Sequence, residues 1–185
     1  MRIATIFLSL LVVLSGCNCY VSSSMPKVEA FILIDPGHGG FDGGAVAEDG
    51  TVEKDINLNI SAKLQTMLKL YGFNVIMTRT EDVGTDDVES DKVASRKKSD
   101  LQNRLMLMKE NPDSIYVSIH LNKFTTTAAS GAQVFYTKNY EAARVLGQLI
   151  QENIVSMLEP TNQRVIKQGT SATYLLHTAK VPAVI

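Results

Sequence analysis

The chain has 185 residues, 18 Lys and Arg against 19 Asp and Glu, a formal net charge of -1 and 45% hydrophobic residues. That is one globular domain able to bury its own core, and the near-neutral balance removes the main electrostatic reason to expect a nucleic-acid binder, since such proteins usually show a basic face or tail. Both cysteines, Cys17 and Cys19, lie near the N-terminus, so the body has neither a disulfide framework nor a CxxC-type zinc knot and must fold on burial, with any metal held by other ligands.

Met1-Arg2 is followed by the apolar run Ile3 to Leu14, then Ser15-Gly16-Cys17, and no further charge appears before Lys27. One basic residue, a short apolar stretch and small residues behind it are the parts of a secretory signal. The run is short against the roughly 20 apolar residues of a membrane span, although an uncleaved membrane anchor stays open. Leu14-Ser15-Gly16-Cys17 also resembles the lipobox of bacterial lipoproteins, which opens lipidation of Cys17. A buried strand or helix of the domain is the rival reading, disfavoured by the uncharged flank. The expectation is export: residues 1–20 a signal peptide or lipoprotein/membrane anchor, 21–29 a Ser-rich linker, 30–185 the folded domain.

Ala30 to Asp35 is a continuous apolar run stopping at Pro36-Gly37, which suits a buried strand opening into a loop. From Glu53 to Tyr71, Ile56, Ile60, Leu64, Met67, Leu68 and Tyr71 recur at helical steps, and Gly72 follows as a stop. Phe73 to Thr78 reads as a second strand. Glu81 to Asp100 is highly charged without strong periodicity, an exposed loop running into a helix near Ser95 that ends at Asn111-Pro112. Ile115 to His120 and Gln133 to Thr137 read as further strands. Tyr140 to Leu158 reads as a helix with Ala143, Leu146, Ile150, Ile154 and Met157 on one face. Met67, Met106, Met108 and Met157 are expected as helix core packing. Alternating strands and helices predict an α/β three-layer sandwich with a mostly parallel central sheet flanked by helices.

Ligand sites in such sheets lie at the carboxyl ends of strands. His38 follows the first strand in Asp35-Pro36-Gly37-His38-Gly39-Gly40, and His120 ends the third in Ser118-Ile119-His120-Leu121-Asn122. Parallel pairing can bring these imidazoles within a few ångströms. Glu53, at a helix start, is a third candidate, and two His with one Glu leave a catalytic zinc an open position. Position alone leaves the bland reading standing: two core or surface histidines, and a glutamate supporting its helix. The glycines around His38 permit tight folding and substrate approach, and their spacing fits neither GxGxxG nor GxxxxGK[ST], which discounts phosphate.

Ile34 to Ala45 (IDPGHGGFDGGA), Val52-Glu53-Lys54-Asp55, Met77-Thr78-Arg79, Asn103-Arg104 and Val117 to Asn122 (VSIHLN) together resemble the zinc-dependent N-acetylmuramoyl-L-alanine amidases of the amidase-3 family. The resemblance spans Phe31 to Ile185, and Ser95 to Arg104 is similar to the germination-specific branch of endospore formers. It implies a phosphorylase/hydrolase-like fold, one zinc ion held by His38, Glu53 and His120, and hydrolysis of the amide joining the lactyl group of N-acetylmuramic acid to L-alanine. Spore cortex maturation or germination would be the setting. The partners implied are peptidoglycan stem peptide and glycan, the membrane through an N-terminal anchor, and an unidentified activating protein, with no nucleic acid.

In the family a glutamate on the strand after Pro182-Ala183-Val184-Ile185 serves as general base and acid, so it is expected beyond Ile185, with a further strand and helix. Glu152 and Glu159 do not match that motif. Two rival readings remain: a silent, metal-retaining wall-binding module, or a zinc hydrolase with another substrate. Of the remaining candidates, Asp35 orients an imidazole or caps the turn beside Pro36, and Asn122 follows His120 as a site neighbour. Arg79 and Arg104 pair with carboxylates, contact acidic groups of the peptide, or form surface or interhelical salt bridges, and His177 touches substrate or is peripheral.

Overall fold

The computed structural model describes residues 31–121 and 131–185. The expected signal, linker and Asn122 lie outside the described residues, among which no helix is long and apolar enough to cross a membrane.

Strand β1 (Phe31–Pro36) pairs in parallel with β2 (Asn74–Met77) on one side and β3 (Ser114–Ile119) on the other. Beyond β3 come β6 (Ala183–Val184), parallel to it, then β4 (Phe135–Tyr136), antiparallel to β6, and β5 (Lys167–Gln168), parallel to β4. The sheet order is β2-β1-β3-β6-β4-β5. Helices α1 (Glu53–Leu70), α2 (Val93–Glu110), α3 (Glu141–Met157) and α4 (Tyr174–Thr178) cover it.

The period of two along β1 decides which helix covers which face. Ile32 and Ile34 join Val75 and Met77 against Leu58, Leu64 and Leu68 of α1. Leu33 turns the other way, with Tyr116 and Ala183, against Leu105 and Met108 of α2 and Leu175 and Leu176 of α4. Helix α3 approaches the sheet at Gly147, where an added Cβ would lie 3.4 Å from Val134 and 3.8 Å from Val184. Val184 is level with Val117, which packs on the α1 side, so α1 and α3 form one layer and α2 and α4 the other. Each fully buried aliphatic side chain in these cores stabilises the fold by about 1.5–3 kcal/mol.

The α/β sandwich and its mostly parallel sheet match the sequence expectation; several details differ. Helix α2 begins at Val93, and the charged stretch before it is not a free loop. Asp82 accepts hydrogen bonds from Gly40 N–H and Lys54 Nζ, Thr85 binds Asp100, and Asp86 binds Arg96. Its charges serve specific partners, so they carry no helical period. The buried stripe of α1 is Glu53, Asn57 and Ser61, continued by Leu64 and Leu68 against the sheet, while Ile60, Met67 and Tyr71 are exposed. Polar residues occupy the inner face because that end of the helix borders the site. Of the four methionines expected in helix cores, Met108 is buried and Met67, Met106 and Met157 are exposed. Strand β4 is shorter than the run 133–137, and β5, two exposed polar residues, has no apolar signal to read.

Candidate metal centre

Pro36 is level with Ile119, so the parallel pair delivers Gly37-His38 and His120 to one sheet edge. The Gly37 N–H donates to Ile119 O at 3.0 Å, which continues the pairing past β1. A Cβ on Gly37 would lie 2.3 Å from the His120 ring, so only glycine lets the imidazole rest on this backbone. His38 itself has φ 63°, a left-handed conformation costing roughly 1–2 kcal/mol in a residue with a Cβ. That turn sends its ring back over the strand end.

Helix α1 brings Glu53. No side chain caps the helix start; the Glu53 and Lys54 N–H groups donate to Ala45 O and Gly43 O at 2.9 and 3.1 Å. The glycine loop thus satisfies two of the helix's otherwise unpaired donors, and the Glu53 carboxylate remains available. Its Oε1 lies 3.2 Å from His38 Nε2 and 3.1 Å from His120 Nδ1. The two rings meet edge to face with centroids 4.8 Å apart. One ligand atom from each of the three residues falls within 4.8 Å of the others.

The supports of these groups fit a metal. His38 Nδ1 sits 3.0 Å from Asp42 Oδ2, which turns Nε2 inward; a ligating imidazole typically gives its other nitrogen to a carboxylate in this way. Asp42 is held in turn by Lys97 Nζ at 3.0 Å. Glu53 accepts from Ala45 N–H at 2.8 Å and Leu121 N–H at 2.9 Å. Burial would raise the Glu53 pKa, but hydrogen bonds from His120, His38 and these amides hold it well below the usual carboxylate range. Burial likewise opposes charge on His38, and Glu53 and Asp42 outweigh it, raising that pKa. The Glu53 carboxylate therefore stays ionised and offers its negative charge to a cation between the rings.

Beneath the cluster lies a polar floor. The Asp35 carboxylate, fully buried, pairs with Arg104 and accepts from the Tyr116 hydroxyl, from Thr78 Oγ1 at 2.6 Å and from Ser118 Oγ at 2.9 Å. Among the described residues these partners include neither an imidazole nor a turn amide, so in place of the two roles expected for it Asp35 serves, with Asp100, as a counter-ion of Arg104. Arg104 and Arg79 are 2% and 4% exposed, so neither makes a surface salt bridge; Arg104 takes the carboxylate-pairing alternative, with Asp35 and Asp100. Arg104 donates to His38 O at 2.8 Å and Pro36 O at 3.1 Å. His177 is exposed on α4, outside the cavity beside the cluster.

That cavity, about 390 Å³, is lined by His38, Glu53, His120, Gln133, Tyr174 and Ile185 among others. Among the described residues Glu53 is its only carboxylate. Sequence reasoning missed Asp42, Lys97 and Tyr116. A short carboxylate four residues after His38 inside a glycine turn was a usable signal for Asp42; a tyrosine in an apolar strand gave none.

With the geometry in place, comparison with known proteins is informative. The N-acetylmuramoyl-L-alanine amidase family profile matches residues 32–185. The germination-specific N-acetylmuramoyl-L-alanine amidase of Bacillus subtilis is 33% identical over 162 residues, 88% of this chain and 67% of that protein. The amidase LytC of the same organism is 30% identical over 86% of this chain, which spans only 29% of LytC. Among solved structures, the CwlD amidase from Clostridioides difficile in complex with the GerS lipoprotein superposes with a TM-score of 0.79 and 36% identity, covering 84% of this chain and 80% of that one.

Proposed function

The chain belongs to the N-acetylmuramoyl-L-alanine amidase family, and on that premise we propose that it hydrolyses the amide between the lactyl group of N-acetylmuramic acid and L-alanine in peptidoglycan, with His38, Glu53 and His120 holding one zinc ion. The observation carrying this reading is the convergence of two imidazoles and a carboxylate at one sheet edge, beside an open cavity. A mixed nitrogen and oxygen donor set of three suits catalytic zinc. Bound there, zinc lowers the pKa of its water to about 7 and polarises the scissile carbonyl.

The chain's own residues do the rest. Asp42 fixes the His38 tautomer, and the Ala45 and Leu121 amides fix the Glu53 carboxylate. Gln133 and Tyr174 line the cavity in which the peptide would lie. Proton transfer to the leaving amine would fall to the glutamate that the family resemblance implies. Strand β6 runs parallel to β3, with Val184 level with Val117, so its carboxyl end points to the edge that holds His120. Action outside the cytoplasm, on wall or spore cortex, is supported by the likeness to the germination-specific enzyme. A lipoprotein-like partner is supported by the complex of the Clostridioides difficile relative.

A metal-retaining wall-binding module is the second reading, favoured by Glu53 being the one carboxylate that the described residues place in the cavity. The natural gene product, read to its stop codon and loaded with zinc, should release stem peptides bearing a free L-Ala amine from purified muropeptides and leave the glycan uncut, as mass spectrometry of the products would show. Zinc-dependent retention of muropeptides without release would establish the binding module, and cleavage at another bond would replace the proposed substrate.

A further inference from the structure

Arg79 is buried, and among the described residues its side-chain hydrogen bonds run to backbone carbonyls rather than to a carboxylate, with Asp35, Asp82 and Asp100 acting on it only through their charge. Its Nε donates to Pro36 O at 3.0 Å, Nη1 to Glu81 O at 3.0 Å, and Nη2 to Gly37 O at 3.1 Å and Lys54 O at 2.8 Å. Pro36 and Gly37 immediately precede His38, and Lys54 immediately follows Glu53. One guanidinium therefore ties the backbone behind the first candidate ligand to the backbone behind the second. Arg104 takes the adjacent carbonyl, His38 O, so three consecutive carbonyls of the loop are gripped from below.

Burying a cation is costly unless its donors are all met, and here Arg104, itself cationic, lies close enough to depress the Arg79 pKa further, after burial. A merely space-filling role would not call for charge at this position. What the guanidinium supplies is a planar fan of donors that a lysine, one nitrogen on a flexible stem, does not have. The loop it grips is the one that needs restraint, since His38 holds a left-handed φ and Gly39 and Gly40 beside it also have positive φ.

We infer that Arg79 is a positioning residue for metal binding: by bridging the carbonyls of Pro36, Gly37 and Lys54, it sets the separation of His38 from Glu53 before the ion arrives. This rests on the metal-site reading above. The bridge exchanges loop freedom for a site already at its bound spacing, so the ordering cost is met on folding rather than on binding.

The test compares the wild-type chain with Arg79→Lys and, as a control, Arg96→Lys, whose parent side chain binds Asp86 and stacks on Phe41 instead. Zinc affinity is measured by competition with a chromophoric chelator, and ligand geometry by the visible spectrum of the cobalt-loaded proteins. Arg79→Lys should bind zinc about 10–100-fold more weakly with an altered cobalt spectrum, while its far-ultraviolet circular dichroism matches wild type and Arg96→Lys is unchanged in both readouts. Wild-type affinity and spectrum in a folded Arg79→Lys would overturn the inference. Absence of zinc binding by the wild type would instead overturn the site itself. Should Arg79→Lys not fold, the wild type decides: the Arg79 Nε–H nuclear magnetic resonance should shift during zinc titration with the midpoint of the histidine ring signals, and a resonance that stays put overturns the coupling.

Discussion

His38→Ala and His120→Ala should each weaken zinc binding by more than about 100-fold, while His177→Ala keeps wild-type affinity. Losing a group that only supports a ligand costs about 10–100-fold, and each histidine here supplies one of three candidate ligand atoms directly. The remaining pair could not hold the ion at micromolar zinc. The histidines are cleaner targets than Glu53, because that carboxylate also satisfies the Ala45 and Leu121 amides. Its removal would leave two donors unpaired at about 1–3 kcal/mol each and mix stability with binding. His177, exposed and not among the residues lining the cavity, is the internal control. Chelator competition on the folded variants measures all three. Equal loss in His177→Ala would mean that the site has been misassigned.

Asp35→Ala should lower stability by at least about 1–3 kcal/mol, because the Tyr116, Thr78 and Ser118 hydroxyls lose their buried acceptor, while Asp100 still pairs with Arg104. Arg104 would keep its charge in the floor of the site, its remaining partners being Asp100 and the loop carbonyls. The wild type should carry the same interaction as a pH dependence. Burial pushes the Asp35 pKa up, but the Arg104 charge and the Thr78 and Tyr116 hydroxyls outweigh it, so the folded value lies below the ordinary one. The unfolded state then takes up the proton first. This stability is fully present above the unfolded carboxylate pKa of about 3.9 and is lost as pH falls toward the folded value. Urea unfolding of wild type and Asp35→Asn across that range should show the wild type losing more stability than the variant on acidification. Parallel pH profiles would remove Asp35 from the account.

The sequence was most legible where local pattern and chemistry coincide. The apolar run ending in Pro36-Gly37-His38 and the second run ending in Ile119-His120 specify strands and place both imidazoles at one edge once the strands are parallel. Glu53 was legible as a helix-start carboxylate, and the family resemblance joined the three. The floor was not legible, because its order is three-dimensional: Asp35, Arg104 and Tyr116 are separated by 69 and 81 residues, and nothing local distinguishes a buried arginine from a surface one. The N-terminal half of α1 misleads for a related reason. Its inward face is polar, Asn57 and Ser61, so the apolar period picks out Ile60 and Met67 on the wrong side. Asn57 faces inward because its amide donates to Gly37 O at 3.2 Å, one more restraint on the ligand loop.

On the proposed reading this sheet edge holds one zinc ion through His38, Glu53 and His120. X-ray absorption at the zinc edge, on wild-type protein carrying one equivalent of zinc, tests it most directly. Two imidazole scatterers at about 2.0–2.1 Å together with oxygen ligands, falling to one imidazole in any His120→Ala protein that retains metal, is the expected result. A first shell with sulfur, or without two imidazoles, would contradict it.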